Sequence, residues 1–100
     1  MASSGLTLTT PPVFNGNNYQ MWVVKMKTFM MGCDIWEPVT GRIVNPLPRY
    51  ASLNQQARHA EEVAKTHRAL ACIFVAVTEE VFSRIMTCTT AKQAWDKLQK

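Results

Sequence analysis

Apolar residues recur along the chain with the spacing of buried helix faces, and this pattern defines four segments. In the first segment, apolar residues lie at offsets of 0, 3, 4, 7, 10 and 11 from Tyr19, which describes one broad helical face. The second segment opens at Leu53 and contains neither Pro nor Gly. We therefore predict helices near residues 18–31, 53–76, 79–87 and 90–100.

The predicted second helix changes character along its length. An apolar side made of Leu53 and small residues should face the core, opposite a charged side on which i,i+4 ion pairs can form. The residues of that apolar side are Leu53, Ala57, Ala60, Ala64 and Ala71, and the expected pairs are Arg58 with Glu62 and Glu61 with Lys65. Residues 69–77 are apolar on all sides, so we expect them at the centre of the fold.

Capping residues mark the predicted helix ends. Asn18 can cap the first helix, and Gly32 supplies a stop. Thr78, followed by two glutamates that complement the helix dipole, suits a helix start. Two further starts have the spacing of a capping box, namely Ser52 with Gln55 and Thr90 with Gln93.

The remaining segments predict an arm and a linker around these helices. Residues 1–13 are rich in Ser, Thr and Pro, which favours a flexible or extended arm. Residues 33–51 show no regular spacing of apolar residues, which predicts an ordered linker. We expect Trp36 and Val39 to pack this linker against the core, with a short helical turn near 34–37.

The expected fold is thus all-α, a small bundle of four to five helices over residues 14–100 preceded by the arm. Its last helix is still periodic at residue 100, which indicates a domain truncated at its C-terminus.

Composition narrows the function classes. A chain of 100 residues with 47% hydrophobic and 18% charged residues can fold as one domain, but it is too short for a barrel or doubly wound enzyme. The net charge of +4 is mild and scattered, so a solvated surface is the first interpretation. Candidates for weak RNA contacts are Lys25, Lys27, Arg42 and Arg49.

No apolar stretch approaches the roughly 20 residues of a membrane span. The three cysteines are odd in number and widely spaced, and no secretory signal opens the chain, so a cytoplasmic protein with reduced thiols is expected.

The sequence offers no recognisable catalytic or metal site. Adjacent carboxylates such as Glu61 and Glu62 diverge on a helix and cannot act as a facing pair. A metal site drawn from His59, His67, Cys72 and Cys88 lacks any zinc-type spacing. We predict no enzyme activity, no cofactor and no metal.

Three motifs carry a family resemblance. The opening pattern Phe14-x-Gly16-x-Asn18-Tyr19-x-x-Trp22-x-x-x-Met26 resembles the start of copia-type retrotransposon Gag proteins. Trp36 and Val39, followed by Gly41, match the intervening loop of that family. The run Thr90-Ala91-Lys92-Gln93-Ala94-Trp95-Asp96-Lys97-Leu98 is similar to the start of a family helix, with Gln93 where Glu is usual. The motifs occur in the family's order and cover residues 14–100.

The resemblance implies a helical lobe like the N-terminal part of a capsid, which self-associates into virus-like particles around element RNA. The rest of the Gag polyprotein would supply further partners, including protease, integrase and reverse transcriptase. Family members often have a zinc knuckle further along, and the sequence ends before one, so RNA binding should be weak and non-specific. The alternative is a repurposed Gag-derived module that recognises a peptide or a host protein.

The aromatic and methionine residues have two interpretations. The tryptophans are expected in the core, with an indole N–H bonded to a backbone carbonyl, although Phe14, Tyr19 and Trp22 could instead line a peptide groove. Four of the six methionines fall between residues 21 and 31, where core filling is favoured over a binding face.

Overall fold

The computed structural model describes residues 10–99, and within them the chain forms four α-helices and one 3₁₀ helix. The α-helices are α1 (Tyr19–Gly32), α2 (Leu53–Val75), α3 (Glu79–Ile85) and α4 (Ala91–Leu98), and the 3₁₀ helix is Glu37–Thr40. These helices confirm the all-α prediction. The short turn expected at 34–37 lies instead at Glu37–Thr40, where Pro38 occupies a position in the first helical turn that proline tolerates. Residues 1–9, most of the predicted arm, lie outside the described residues.

The capping box at the start of α2 is confirmed. The Ser52 hydroxyl accepts a hydrogen bond from the Gln55 backbone N–H at 3.1 Å. In return, the Gln55 side-chain oxygen accepts one from the Ser52 backbone N–H at 2.8 Å. Two N–H groups that the helix leaves unbonded are thereby satisfied, which fixes the first residue of α2.

The other predicted caps are incomplete. Asn18 precedes α1 in the left-handed region (φ 56°), which Asn tolerates, but its side chain makes no capping bond. The Thr90 hydroxyl accepts from the Gln93 N–H at 3.1 Å, whereas the Gln93 side chain accepts from Thr89 rather than Thr90. Thr78 also makes no side-chain cap. Of these three helix starts, α4 alone has a side-chain cap among the described residues.

α4 lies at the centre of the bundle and packs against α2, α3 and the 3₁₀ helix. One side of α4 is buried along its whole length, and α1 adds Trp22, Met26 and Met30 to the same core. The buried residues of α4 are Ala91, Ala94, Trp95 and Leu98. This arrangement confirms the buried stripe predicted for the last helix.

The predictions for α2 were wrong in two respects. Leu53 is 82% exposed, and Ala57, Ala60 and Ala71 are exposed as well. In the N-terminal half of the helix, the linker lies against a different side. That side carries Gln55, Arg58, His59 and Glu62, which line a groove with linker residues 42–48. Residues 69–77 are not buried on all sides either, since Val75 is 65% exposed. One helix face alone enters the core.

The ion pairs on α2 also differ from the expected ones. Between the described residues, neither Arg58 with Glu62 nor Glu61 with Lys65 forms a pair, and Glu61 instead binds Arg68. The Lys65 ammonium lies 3.4 Å from an Asp34 carboxylate oxygen and 3.5 Å from one of Glu37. Partial burial lowers the pKa of Lys65, but these neighbouring carboxylates outweigh that effect and raise it. Lys65 therefore ties α2 to the segment that follows α1.

Candidate functional site

The three sequence motifs converge on one aromatic cluster. Phe14 stacks on Trp22 with ring centroids 5.0 Å apart, and Trp22 lies 5.4 Å from Trp95. The edge of Trp36 meets Trp95 at 5.0 Å. Aromatic pairs at these separations gain energy beyond their buried area. Residues far apart in sequence thus form a continuous row from the opening motif, through α4, to the 3₁₀ helix.

Backbone hydrogen bonds hold the opening motif in place. The Phe14 N–H donates to the Ala76 carbonyl at 2.8 Å, and the Thr78 N–H donates to the Phe14 carbonyl at 3.0 Å. The Trp22 indole N–H donates to the Pro12 carbonyl at 2.9 Å, as the core interpretation of the tryptophans predicts. The segment before α1 is therefore fixed across the junction between α2 and α3.

Burial decides between the two interpretations of these aromatics. Phe14 is 3% exposed and Trp22 is 5% exposed, while Tyr19 is half-buried against the same core. Burial this deep favours the core interpretation for Phe14 and Trp22, although Trp22 also borders a shallow groove with Pro12 and Lys25. Their role is to hold the bundle together.

The remaining motif residues also have structural roles. Met26 and Val39 are buried, and the four apolar positions of the last motif form the buried side of α4. Gly16 adopts a positive φ of 98° in the exposed turn before α1. Gly41 has a φ of 92°, and an added Cβ there would lie 2.8 Å from the Lys92 side chain. The glycine lets the linker pass beneath the start of α4.

The methionines divide between two opposite sides of α1. Met26 and Met30 are fully buried, which confirms core filling for these two, but Met21 is 61% and Met31 57% exposed. Val24 is 64% exposed on the same outward side, and Thr28 is exposed between them. We call Met21, Val24, Thr28 and Met31 the outer stripe. Sequence reasoning missed it, although offsets of 0, 3, 7 and 10 from Met21 give a second helical face.

The four basic residues proposed for RNA contacts do not form one site. Lys25 lines a shallow groove beside Pro12 and Asn18, whereas Arg42 lines other grooves along the linker. Arg42 is paired with Glu37 at 2.8 Å, and the Lys27 ammonium lies 5.4 Å from the centre of the Trp36 ring. Arg49 lies over its neighbour Tyr50 at 5.6 Å. Lys25 alone of the four carries a charge with no partner among residues 10–99.

A groove of about 350 Å³ lies between the linker, α2 and the start of α4. Its floor is mostly apolar, and its polar groups include three basic side chains. The apolar part comes from Pro38, Ile43, Val44, Val63 and Ala91, and the basic residues are Arg42, His67 and Lys92. Lys92 is paired with Asp96 at 2.7 Å, and Arg42 with Glu37, so most of this positive charge is already balanced.

Among residues 10–99, no three His, Cys, Asp or Glu side chains are placed to hold a metal ion together. Burial, with a smaller contribution from Cys33, raises the pKa of the Cys72 thiol to about 11. That thiol therefore stays protonated and weakly nucleophilic at neutral pH. Over the same part of the chain, no helix is long and apolar enough to cross a membrane.

Comparison with known proteins assigns the family. The sequence model of the family described as gag-polypeptide of LTR copia-type matches residues 26–100. The match contains the Trp36 loop and the whole α4 motif, and it begins at Met26, the last residue of the opening motif. No curated protein and no solved structure matches the chain. With three quarters of its length covered by that match, the chain belongs to the Gag polypeptide family of copia-type LTR retrotransposons.

Proposed function

We propose that this chain is the capsid-like part of a retrotransposon Gag protein, which self-associates in the cytoplasm into virus-like particles that package element RNA. The family match over residues 26–100 carries the proposal, since it gives the chain a Gag-like structural role. The helical bundle supports it. Most motif residues pack inside the bundle and maintain the fold, so self-association would use exposed residues elsewhere on the surface.

Exposed apolar side chains supply such surfaces. Large apolar patches on a small folded domain mark contacts with other macromolecules. Ten large hydrophobic residues are exposed among those described, in α1, in the linker with the start of α2, and around α3. They are Val13, Met21, Val24, Met31, Ile43, Leu47, Tyr50, Leu53, Val75 and Met86.

The self-association proposal is tested by light scattering coupled to size-exclusion chromatography, with electron microscopy of the same samples. We expect oligomers whose mass rises with protein concentration and rises further when RNA is added. A chain that remains monomeric over the whole concentration range, with and without RNA, would contradict the proposal.

RNA binding by this chain is expected to be weak and independent of sequence. Three of its four candidate cations are engaged with Glu37, Trp36 or Tyr50, and most aromatic rings lie in the core rather than on an exposed platform. Binding through a few phosphate contacts releases counterions and therefore weakens as salt rises. Base recognition would need exposed rings for stacking.

Fluorescence anisotropy with two unrelated RNAs at low and physiological salt tests this expectation. The affinities should be similar for both RNAs and fall steeply with salt, and Lys25→Ala should reduce the salt dependence more than Arg42→Ala does. Tight binding to one RNA that persists at physiological salt would show a dedicated RNA-recognition domain instead.

The groove beside α4 supports a second candidate, a repurposed module that binds a peptide. Its mostly apolar lining suits an apolar segment of an extended peptide. Under this alternative the chain stays monomeric and selects such peptides from a display library. Selection should be lost in Val63→Lys, which places a charge on the groove floor, and kept in Leu53→Ser, which changes an exposed residue outside it.

A further inference from the structure

α1 presents apolar side chains on two opposite sides, and only one side is used inside the bundle. Trp22, Met26 and Met30 face the core. The outer stripe faces away from it, and its three large apolar side chains are each more than half exposed. A helix exposed to water on its outer side normally carries polar residues there. The outer stripe is therefore suited to contact with another macromolecule.

The electrostatic surroundings of the outer stripe define its partner. Lys25 and Lys27 border the stripe on its two sides, as the 3.6-residue helical repeat requires, and α1 contains no Asp or Glu. Lys25 is exposed and makes no ion pair with any described residue. The surface that covers the stripe should therefore be apolar with an acidic border.

Where α2 ends and α3 begins, the chain exposes residues of both types. Four of its seven carboxylates are engaged in ion pairs, those of Asp34, Glu37, Glu61 and Asp96. Glu79 and Glu80, at the start of α3, are exposed and have no ion-pair partner among residues 10–99. Val75, four residues before Glu79, is 65% exposed. We call Val75, Glu79 and Glu80 the acidic corner.

We propose that the outer stripe of α1 binds the acidic corner of a second copy of this chain. The proposal rests on the proposed Gag function and names the surfaces that carry its self-association. Val75 of one copy packs on Met21, Val24 and Met31 of the next, and the two glutamates meet the exposed lysine beside the stripe. Apolar burial supplies affinity, and the opposite charges fix orientation.

A symmetric contact between two α1 helices is disfavoured by the same charges. Lys25 lies at the middle of Tyr19–Gly32, so a two-fold pair of α1 helices brings the two Lys25 side chains close together. No acidic residue in α1 offsets that repulsion. A contact between unlike surfaces instead gives a ring if the rotation between copies closes and an open filament if it does not. Such a contact can therefore join more than two copies.

The apolar part of the contact is tested with Met21→Ser/Val24→Ser/Met31→Ser in sedimentation velocity experiments on the full chain. We expect association to weaken at least about tenfold relative to wild type, with an unchanged urea midpoint because these side chains are exposed. The matched control is Ala57→Ser/Ala60→Ser, which places serine at two exposed positions of α2. The control should associate like wild type.

The charged part is tested by charge exchange. Lys25→Glu alone and Glu79→Lys/Glu80→Lys alone should each weaken association about tenfold, and an equimolar mixture of the two proteins should restore it, because both contacts in the mixture join opposite charges. A symmetric α1 contact would leave Glu79→Lys/Glu80→Lys unaffected, and that result would overturn the proposal.

The results of these experiments distinguish failure of the surface assignment from failure of the proposed Gag function. A wild-type chain that associates while the serine triple variant associates equally well overturns this surface assignment and leaves the Gag function standing. A wild-type chain that stays monomeric under every condition overturns both. Loss of association in the triple variant, together with restoration in the mixture, supports both.

Discussion

The two halves of α2 share one continuous helix, yet only one half belongs to the core. In the C-terminal half, Ala69 and Ile73 are fully buried, and α4 packs against the helix. In the N-terminal half, Leu53 is 82% exposed and Ala57 is exposed. The regular spacing of apolar residues shows which side of a helix can be buried, but burial also needs a second element packed on that side. Here the linker lies along the polar side of the N-terminal half.

The two halves consequently depend on different forces. The C-terminal half is held by packing, which scales with the apolar area removed from water. The N-terminal half is held by local hydrogen bonds, namely the Ser52–Gln55 capping box and a bond from the Gln56 side chain to the Ala51 carbonyl at 3.1 Å. Mutations in the two halves should therefore differ in size and in the property that they change.

We expect the largest loss of stability from mutation of Trp95, at the centre of the packed region. Trp95→Ala removes a ring that contacts both Trp22 and Trp36, and truncation of a buried aromatic costs about 3 to 5 kcal/mol. This loss is comparable with the whole stability of a small domain, so the variant should be largely unfolded.

The measurement for Trp95→Ala is the midpoint of urea unfolding followed by circular dichroism. Lys97→Ala, an exposed position two residues along α4, is the control and should leave the midpoint almost unchanged. Equal and small shifts in the two variants would mean that α4 is not the centre of the bundle.

A direct comparison of the halves comes next, with one truncation in each. Ile73→Ala creates a cavity at a fully buried site and should cost about 2 to 4 kcal/mol of unfolding free energy. Leu53→Ala trims a side chain that is 82% exposed and should cost less than about 0.5 kcal/mol. Urea unfolding of both variants gives the two numbers. A large loss in Leu53→Ala would show that the N-terminal half is packed after all.

The same contrast explains which features could be predicted from the sequence. Helix positions follow from Pro and Gly placement and from capping residues such as Ser52, all of which act within a few residues, and these were predicted closely. The core positions of α4 and the inner side of α1 also followed, because their spacing fits one face. Which element covers each helix face depends on contacts between residues distant in sequence. Periodicity therefore could not show that Leu53 and the outer stripe are exposed.

The motif residues also show how far prediction from the sequence could go. Their resemblance to Gag proteins identified the family. Trp22 and Trp95 lie in the core as expected, whereas Trp36 is only partly buried against it. The sequence did not reveal that Trp22, Trp36 and Trp95 form one row, since no local rule relates rings that far apart. The ion pairs were wrong for the same reason. Lys65 is close to Glu61 along the helix, but tertiary structure brings Asp34 and Glu37 to its ammonium.

A smaller effect is expected from removing the cap of the N-terminal half. Ser52→Ala removes the hydroxyl that accepts from the Gln55 backbone N–H, at a cost of about 1 kcal/mol, and leaves in place the backbone N–H that donates to the Gln55 side chain. Because few tertiary contacts hold this half, the loss should appear as local fraying before global unfolding.

Hydrogen exchange measures the effect of Ser52→Ala residue by residue. Amides of residues 55–60 should exchange faster, while those of residues 69–75 should be nearly unaffected. Asn54→Ala is the matched control, because Asn54 is exposed in the same turn and its side chain makes no hydrogen bond with other described residues. Faster exchange along all of α2 in Ser52→Ala would mean that the two halves unfold as one unit.

The last effect concerns pH rather than mutation and tests whether the packed half of α2 is shielded from water. Burial, helped by Cys33, raises the pKa of the Cys72 thiol from 9.0 to about 11. In the unfolded chain this thiol ionises near pH 9, while in the folded chain it stays protonated. Unfolding therefore releases a proton between these values, and the free energy of unfolding should fall as pH rises from about 9 through 11. Below pH 9 the contribution is constant.

Urea unfolding between pH 7 and about 11 measures this change in the free energy of unfolding. Cys72→Ala is the control, because this substitution removes the contribution of Cys72 and leaves that of Lys65, whose pKa is also raised. Identical pH dependence in wild type and Cys72→Ala would show that solvent reaches the thiol in the folded chain.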